Sequence, residues 1–504
     1  MMDLKETILK FADDMQENMV ACRRDLHAHP EPGWTEFRTA AKVAKTLAEL
    51  GYTVKTGADT IRQEAMMGVP SAEKLAKEQQ RAIAEGADPD WVKKMDGGRT
   101  GVLGVMKFSE DGPVVAVRFD MDSNDVTETG EASHRANKEG FASCHAGAMH
   151  ACGHDGHTTV GLALARLLAS LKDQLRGTIK LCFQPAEEGV RGAHAMVESG
   201  IVDDVDYMLG AHFGFKMRKT GTVACNVTGF LATSKYDARF QGVPAHAGAA
   251  PEQGKNALLA AACATLNLHA ISRHSAGASR INVGRLDAGS GRNVIGDKAL
   301  LCLETRGATS EINAFMETEA QRIIKAAAMM YDVKVAIEKV GGAAGGSNSP
   351  ELAAFLEEEA KSLGIFDEVV GACPFGASED FSYFMERVQS HGGQAAYMMV
   401  GSDLAAGHHD SHFDFDERAL GYSLKLMGCA VCKLLLSKRL TSRPRQNATQ
   451  NVRHRETSDA GRFFVFYGLI RPCAKGNGKM WRSMLQWACF LCLQKGRGLR
   501  DTRI

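Results

Sequence analysis

Along the first fifty residues, apolar positions recur at the three- and four-residue spacing of a helix with one buried face. The run HAHPEPGW at 27–34, with its two prolines and a glycine, interrupts that pattern. Residues 60–97 read as helical again, but charge is dense around 65–87, the mark of an insertion rather than a core element. The texture then changes to short apolar runs: VVAVRF at 114–119, TIKLCF at 178–183 and DYMLGA at 206–211. Such runs are strands buried on both faces. Between the first two lies a helical pattern carried by Val160, Leu162, Leu164, Leu167 and Leu168. Strands alternating with helices predict an α/β fold whose larger domain has a mostly parallel sheet covered by helices.

From about 228 to 336 the order differs. Strand-like LATSKYDARFQG is followed by a helical stretch at 256–270, strand-like 279–285 and 298–306, and a helical stretch at 310–330. That β-α-β-β-α order predicts a smaller inserted α+β unit of ferredoxin-like type. Glycines at 341–346 then return the chain to the larger domain. The expected division is 1–227 and 337–438 for the larger domain and 228–336 for the smaller, with 439–504 as a tail.

The chain has 504 residues, and Lys+Arg and Asp+Glu are each 60. A neutral balance gives no reason to expect nucleic acid or an anionic membrane as a partner. The charge is uneven, however: 440–504 carries thirteen Lys/Arg against three Asp/Glu. This basic tail has neither a core pattern nor a clean amphipathic face, so it reads as disordered or as a non-native reading frame. The acidic opening MMDLKETILKFADDMQENMV lacks the basic start and apolar block of a signal peptide. No apolar run reaches the roughly 18–20 residues that cross a bilayer. Thirteen scattered Cys argue against a disulfide framework. The expectation is a reduced, soluble, cytoplasmic protein.

The chemistry gathers just after the strands, where open α/β sheets bind ligands. HACGHDGH at 150–157 places Cys152 and His154 two apart around Gly153, before a helix. Thiolate and imidazole are good ligands for zinc-like metals. Glu187 and Glu188 follow the second strand, His212 ends the third, and His408 and His409 sit in AAGHHDSHFDFDE. Cys152, His154, Glu188, His212 and one of the last two histidines exceed the needs of one catalytic zinc and fit two metals sharing a bridging group. Adjacent glutamates on a loop can face different ways, one holding metal and the other serving as general base. Asp120 and Asp122 end the first strand, as acceptors that orient a ligand imidazole or as metal contacts. Glu379 and Asp380 either line the site or cap a helix.

The set RFDMD (118–122), MHACGHDGH (149–157), QPAEEG (184–189), GAH (210–212), AHAG (245–248), GSGRNV (289–294), GASEDF (376–381) and GHH (407–409) resembles the di-metal amidohydrolases and metallopeptidases. These include aminoacylases, carboxypeptidase G and the hippurate and indole-acetyl-amino-acid hydrolases. The resemblance spans roughly residues 5–435, and the insertion near 60–97 places the chain beside the aminobenzoyl-glutamate-cleaving branch.

The resemblance implies two divalent ions, zinc or manganese with cobalt also open, held by Cys152, His154, Glu188, His212 and His409. His409 is preferred over His408 because Phe413 follows it by four residues, a spacing the family shows. It implies Glu187 as general base, Asp122 tuning the metals, and His246 reaching an active site, often the partner's, to stabilise the oxyanion. Asn293 and Arg306 would hold the substrate carboxylate, a task suited to the planar donor fork of Arg. The inserted domain would mediate dimerisation, with a copy of the chain or a related B subunit. The implied reaction cleaves the amide of a small N-acyl amino acid. A non-catalytic partner in a hetero-oligomeric hydrolase is the alternative of another class.

Overall fold

In the computed structural model, residues 4–438 are described. Helix Leu4–Ala28 and helix Phe37–Glu49 are separated by the proline-bearing run. The residue before a proline is steered out of helical backbone, which ends the first helix here. Strand β1 (Thr53–Thr56) leads into helix Ala72–Ala84, capped by Ser71, whose side chain accepts from Lys74 N–H. The expectation that 60–97 stands apart from the core is corrected. Leu75, Ala82, Ala87, Val92 and Met95 are buried in the large core, while Glu73, Lys74 and Lys77 are exposed on the outer face of the helix.

Strands β2 (Val102–Lys107), β3 (Val114–Asp120), β4 (Thr178–Gln184), β5 (Tyr207–Phe213), β6 (Thr222–Ala224) and the short β7 (Val227–Thr228) follow. A second sheet is built from β8 (Ala232–Gln241), β9 (Ser279–Ala288), β10 (Lys298–Gly307) and β11 (Lys334–Ala343). The chain then adds β12 (Glu368–Val370), β13 (Cys373–Pro374) and β14 (Gln394–Val400). The large sheet has eight strands in the order β1-β2-β4-β3-β5-β14-β6-β12. Its centre, β4-β3-β5-β14, is parallel, while β1, β2 and β6 pair antiparallel.

Every residue of β3 and β5 is buried, which is why these strands read as apolar runs. Val115, Val117 and Phe119 enter one core with helices Leu4–Ala28, His154–Ser170 and Arg418–Leu436. Val114 and Ala116 enter the core on the other face with helix Phe381–Ser390. Helix Arg418–Leu436 is long and apolar enough to cross a membrane, but most of it is buried in the core.

The second sheet, in the order β11-β8-β10-β9, is antiparallel throughout. Tyr236, Ala238, Phe240, Leu301 and Leu303 pack under helices Ala257–His269 and Ser310–Met330. Alternation turns Lys235, Asp237, Glu304 and Arg306 to the opposite face. The expected boundary at 336 is too early. Gly341 and Gly342 stay in the ladder of β11 past a bulge after Lys339, so glycines read as a connector belong to a fourth strand. The expected 439–504 tail lies outside the described residues.

Candidate metal centre

Parallel pairing brings the carboxyl ends of β3, β4 and β5 to one edge of the sheet. Asp120 and Asp122 leave β3, the loop to Glu187 and Glu188 leaves β4, and His212 lies near the end of β5. Helix His154–Ser170 starts at the same point, behind Gly153 in left-handed backbone (φ 90°). Cys152 Sγ is 3.4 Å from His212 Nε2. His154 Nε2 lies 4.0 Å from carboxylate oxygens of both Glu187 and Glu188. His409 Nε2 is 3.3 Å from Glu188 Oε1. Cys152, His154 and His212, and likewise Cys152, Glu188 and His409, have ligand atoms close enough to surround one ion.

The backbone sets the ring orientations. His212 Nδ1–H donates to Phe213 O at 2.7 Å and His154 Nδ1–H to Asp122 O at 2.9 Å. Each Nε2 is thereby turned to the cluster, the usual arrangement of a ligand histidine. His154 Nε2 is buried with no hydrogen-bond partner among the described residues. Burial and Glu188 push the Cys152 thiol well above its ordinary pKa, so a thiolate here calls for a cation. Burial, reinforced by His157, holds His212 well below the ordinary histidine range and therefore neutral. Buried imidazole nitrogens, a thiol and a carboxylate form a donor set that suits divalent zinc-like metals.

One side chain positions both glutamates. Asp122 Oδ1 accepts from Glu187 N–H at 3.0 Å and Oδ2 from Glu188 N–H at 2.8 Å. The flanking Ala186 and Val190 are non-glycine residues in left-handed backbone (φ 51° and 59°). Such strain persists only where surroundings impose it. The two carboxyls then part chemically. Burial, with Glu379 and Asp380 adding to it, pushes Glu187 well above the carboxylate range. Burial alone would also raise Glu188, but the His409 hydrogen bond and the His154 charge bring it to about 2. Adjacent carboxyls driven apart in this way divide the labour, one moving protons and the other staying anionic.

Spacing alone left two histidines open at 408 and 409, and the structure separates them. His408 donates from Nε2 to Phe213 O at 3.0 Å and stacks on Phe215, ring centroids 4.1 Å apart. His409, in left-handed backbone (φ 67°), is the one grouped with Glu188 and Cys152. Glu379 and Asp380 bear on the cluster through their charge on Glu187. They neutralise buried Arg118 at 2.9 and 3.1 Å, and Arg118 also holds Asp120 at 2.5 Å.

His246 and Asn293 are exposed in loops of the second-sheet region. His246 Nδ1 accepts from Gly248 and Ala249 N–H, and no contact joins either residue to the cluster among the described residues. Arg306 pairs with Glu304 at 3.0 Å on the helix-free face of the second sheet.

Sequence reasoning missed three residues. His157 donates from Nδ1 to Asp120 at 2.6 Å and accepts Phe213 N–H on Nε2 at 3.1 Å. It stands one helical turn beyond His154, a signal the HACGHDGH string already contained. Arg118 was hidden inside an apolar strand. Lys235, on β8, faces a cavity beside Glu188.

Residues 116–432 match the family described as Peptidase family M20/M25/M40. The chain is 47% identical over 424 residues (84% of this chain, 97% of the relative) to the A subunit of p-aminobenzoyl-glutamate hydrolase from Escherichia coli strain K12. It is 48% identical over 411 residues (81% and 94%) to the indole-3-acetyl-aspartic acid hydrolase of Enterobacter agglomerans. The solved structure of an aminobenzoyl-glutamate utilization protein from Klebsiella pneumoniae matches at 40% identity with a TM-score of 0.73, covering 84% of this chain and 97% of that one. A dinuclear metal-binding peptidase of the M20 family from Bacillus subtilis shares the fold at 23% identity and a TM-score of 0.58, covering 84% and 99%.

Proposed function

Because the chain belongs to peptidase family M20/M25/M40 and is a metal-dependent amidohydrolase, we propose that its reaction is hydrolysis of p-aminobenzoyl-glutamate to p-aminobenzoate and glutamate. The observation that carries this reading is the convergence of Cys152, His154, Glu188, His212 and His409 beside a protonatable Glu187. Two relatives of nearly equal identity are named for amides of glutamate and of aspartate. Both named substrates join an aromatic acyl group to an acidic amino acid. An indole-acetyl-aspartate type of substrate is therefore the second reading.

The five ligand residues would hold two divalent ions, zinc or manganese. When bound, such ions supply Lewis acidity for the amide carbonyl and lower the pKa of water. Glu187 takes a proton from the attacking water and returns it to the departing amine nitrogen, so one water is consumed and an acid and an amine are released. Asp122 fixes the Glu187–Glu188 backbone throughout. Arg306 and Asn293 hold the α-carboxylate of the amino-acid half, and His246 donates to the developing oxyanion. The exposed position of His246 suits a residue that acts across an interface between protomers, the partner being a second copy of the chain or a related B subunit. Release of glutamate from p-aminobenzoyl-glutamate by the manganese- or zinc-loaded chain tests the reading, and absence of turnover with either metal and with the partner present would overturn it.

A further inference from the structure

A cavity of about 490 Å³ opens beside Glu188, walled by Asn124, Asp125, Arg191, Lys235 and Asp237 among others. Its size fits a small-molecule site. Lys235 stands opposite Glu304 on β10, on the face the helices leave uncovered. Its ammonium makes no ion pair or hydrogen bond among the described residues. The carboxylates whose charge reaches it are Glu304, Glu187 and Glu188; Glu304 pairs with Arg306 at 3.0 Å, Glu187 with His154 at 4.0 Å and Glu188 with His409 at 3.3 Å. Of the two aspartates on the wall, Asp237 accepts from Arg239 at 3.1 Å and Asp125 is exposed.

Arg191 is the second cation on this wall. Its Nε donates to Glu188 O at 2.9 Å and its Nη1 to Gly68 O at 3.2 Å, both neutral carbonyls. Two glycines make room for it. A Cβ on Gly68 would stand 2.9 Å from Arg191 Cδ, and one on Gly33 would stand 2.5 Å from Arg191 Nη2. Gly68 belongs to the charged insertion, so that segment helps build the cavity. A partly buried cation with no hydrogen-bonded counter-ion carries a desolvation cost that an incoming anion relieves. Burial accordingly lowers the Lys235 pKa.

We propose that Lys235, with Arg191 beside it, forms a carboxylate subsite that reads the side chain of an acidic amino acid in the substrate. The inference rests on the amidohydrolase reading and adds the source of its preference. In that reading Asn293 and Arg306 would take the other carboxylate of the amino-acid half.

The test compares kcat/KM for p-aminobenzoyl-glutamate and p-aminobenzoyl-glutamine in the metal-loaded chain, in Lys235→Met and in Lys235→Arg. A charge-assisted contact is worth about ten- to a hundredfold, so the native chain prefers glutamate by about that factor. Lys235→Met loses at least tenfold of the preference, chiefly through KM, and Lys235→Arg recovers most of it. An unchanged preference in Lys235→Met, or none in the native chain, would overturn the subsite. Calorimetry with L-glutamate against L-glutamine separates the two readings. Glutamate binding that depends on Lys235 without any hydrolysis retains the subsite and sinks the reaction. Binding indifferent to Lys235→Met, in a protein with the native melting temperature, sinks the subsite.

Discussion

Replacing Asp122 by Asn removes one acceptor from a pair of buried backbone donors. In the native site the two carboxylate oxygens accept Glu187 N–H at 3.0 Å and Glu188 N–H at 2.8 Å, and Asp122 is wholly buried. Asparagine keeps one acceptor oxygen and turns an NH2 group towards the other N–H. One donor is left facing another donor where water does not reach. The lost charge-assisted bond and the orphaned amide together cost about 2–4 kcal/mol after partial relaxation. The loop relaxes easily, because Ala186 and Val190 already hold strained left-handed backbone. Glu187 shifts with it, and a displacement of about 1 Å costs on the order of a hundredfold in rate. The assay is kcat at saturating metal, beside the thermal unfolding midpoint of the chelated protein. Asp122→Asn should lose about a hundredfold or more in kcat and several degrees in midpoint. Asp122→Ala, which removes both acceptors, should lose more. Native kcat and midpoint in Asp122→Asn would refute the claim that this carboxylate positions the glutamate pair.

Other consequences can be measured separately. His409→Ala should weaken metal binding, read by metal analysis after dialysis, at least tenfold more than His408→Ala; equal losses would contradict the separation of the two histidines. Gly192→Ala should give little folded protein, because its Cβ would stand 1.7 Å from Pro185 O, and native expression and melting would count against that contact. Asp25 is held at about 2: burial raises it, but Arg38 at 2.8 Å and Lys42 at 2.6 Å outweigh burial. Since its folded pKa is depressed, the stability it contributes is present above pH 4 and lost between pH 4 and 2. With a side chain 34% exposed, screening limits the effect to about 1 kcal/mol. Urea unfolding of Asp25→Asn should show a shallower acid-side decline than the native chain, and an identical decline would contradict the pairing.

The large sheet was legible because β3, β4 and β5 are buried apolar runs, and such runs announce themselves without neighbours. The site was legible for a related reason: parallel strands deliver their following residues to one edge, so Asp122, Glu187 and His212 meet although they are far apart in sequence. Resemblance supplied what spacing did not, above all the preference for His409. Less legible was β11, whose Gly341–Gly342 pair looks like a linker until the ladder with β8 is seen. The charged insertion misled because its few apolar positions, Leu75 and Ala82, are outnumbered by solvent-facing charge. Arg118 and Lys235 stayed hidden for a deeper reason. One is a charge inside an apolar strand and the other an ordinary-looking strand lysine. Only the tertiary partners of the first, and the missing hydrogen-bonded partner of the second, set them apart.

The central claim, that Glu187 moves the proton in a metal-dependent amide hydrolysis, is tested most directly by glutamate release from p-aminobenzoyl-glutamate in the native chain and in Glu187→Gln, each loaded with manganese or zinc. Turnover in the native chain and a loss of about a hundredfold or more in the variant, at equal metal content, is the predicted result. Undiminished turnover in Glu187→Gln would contradict it.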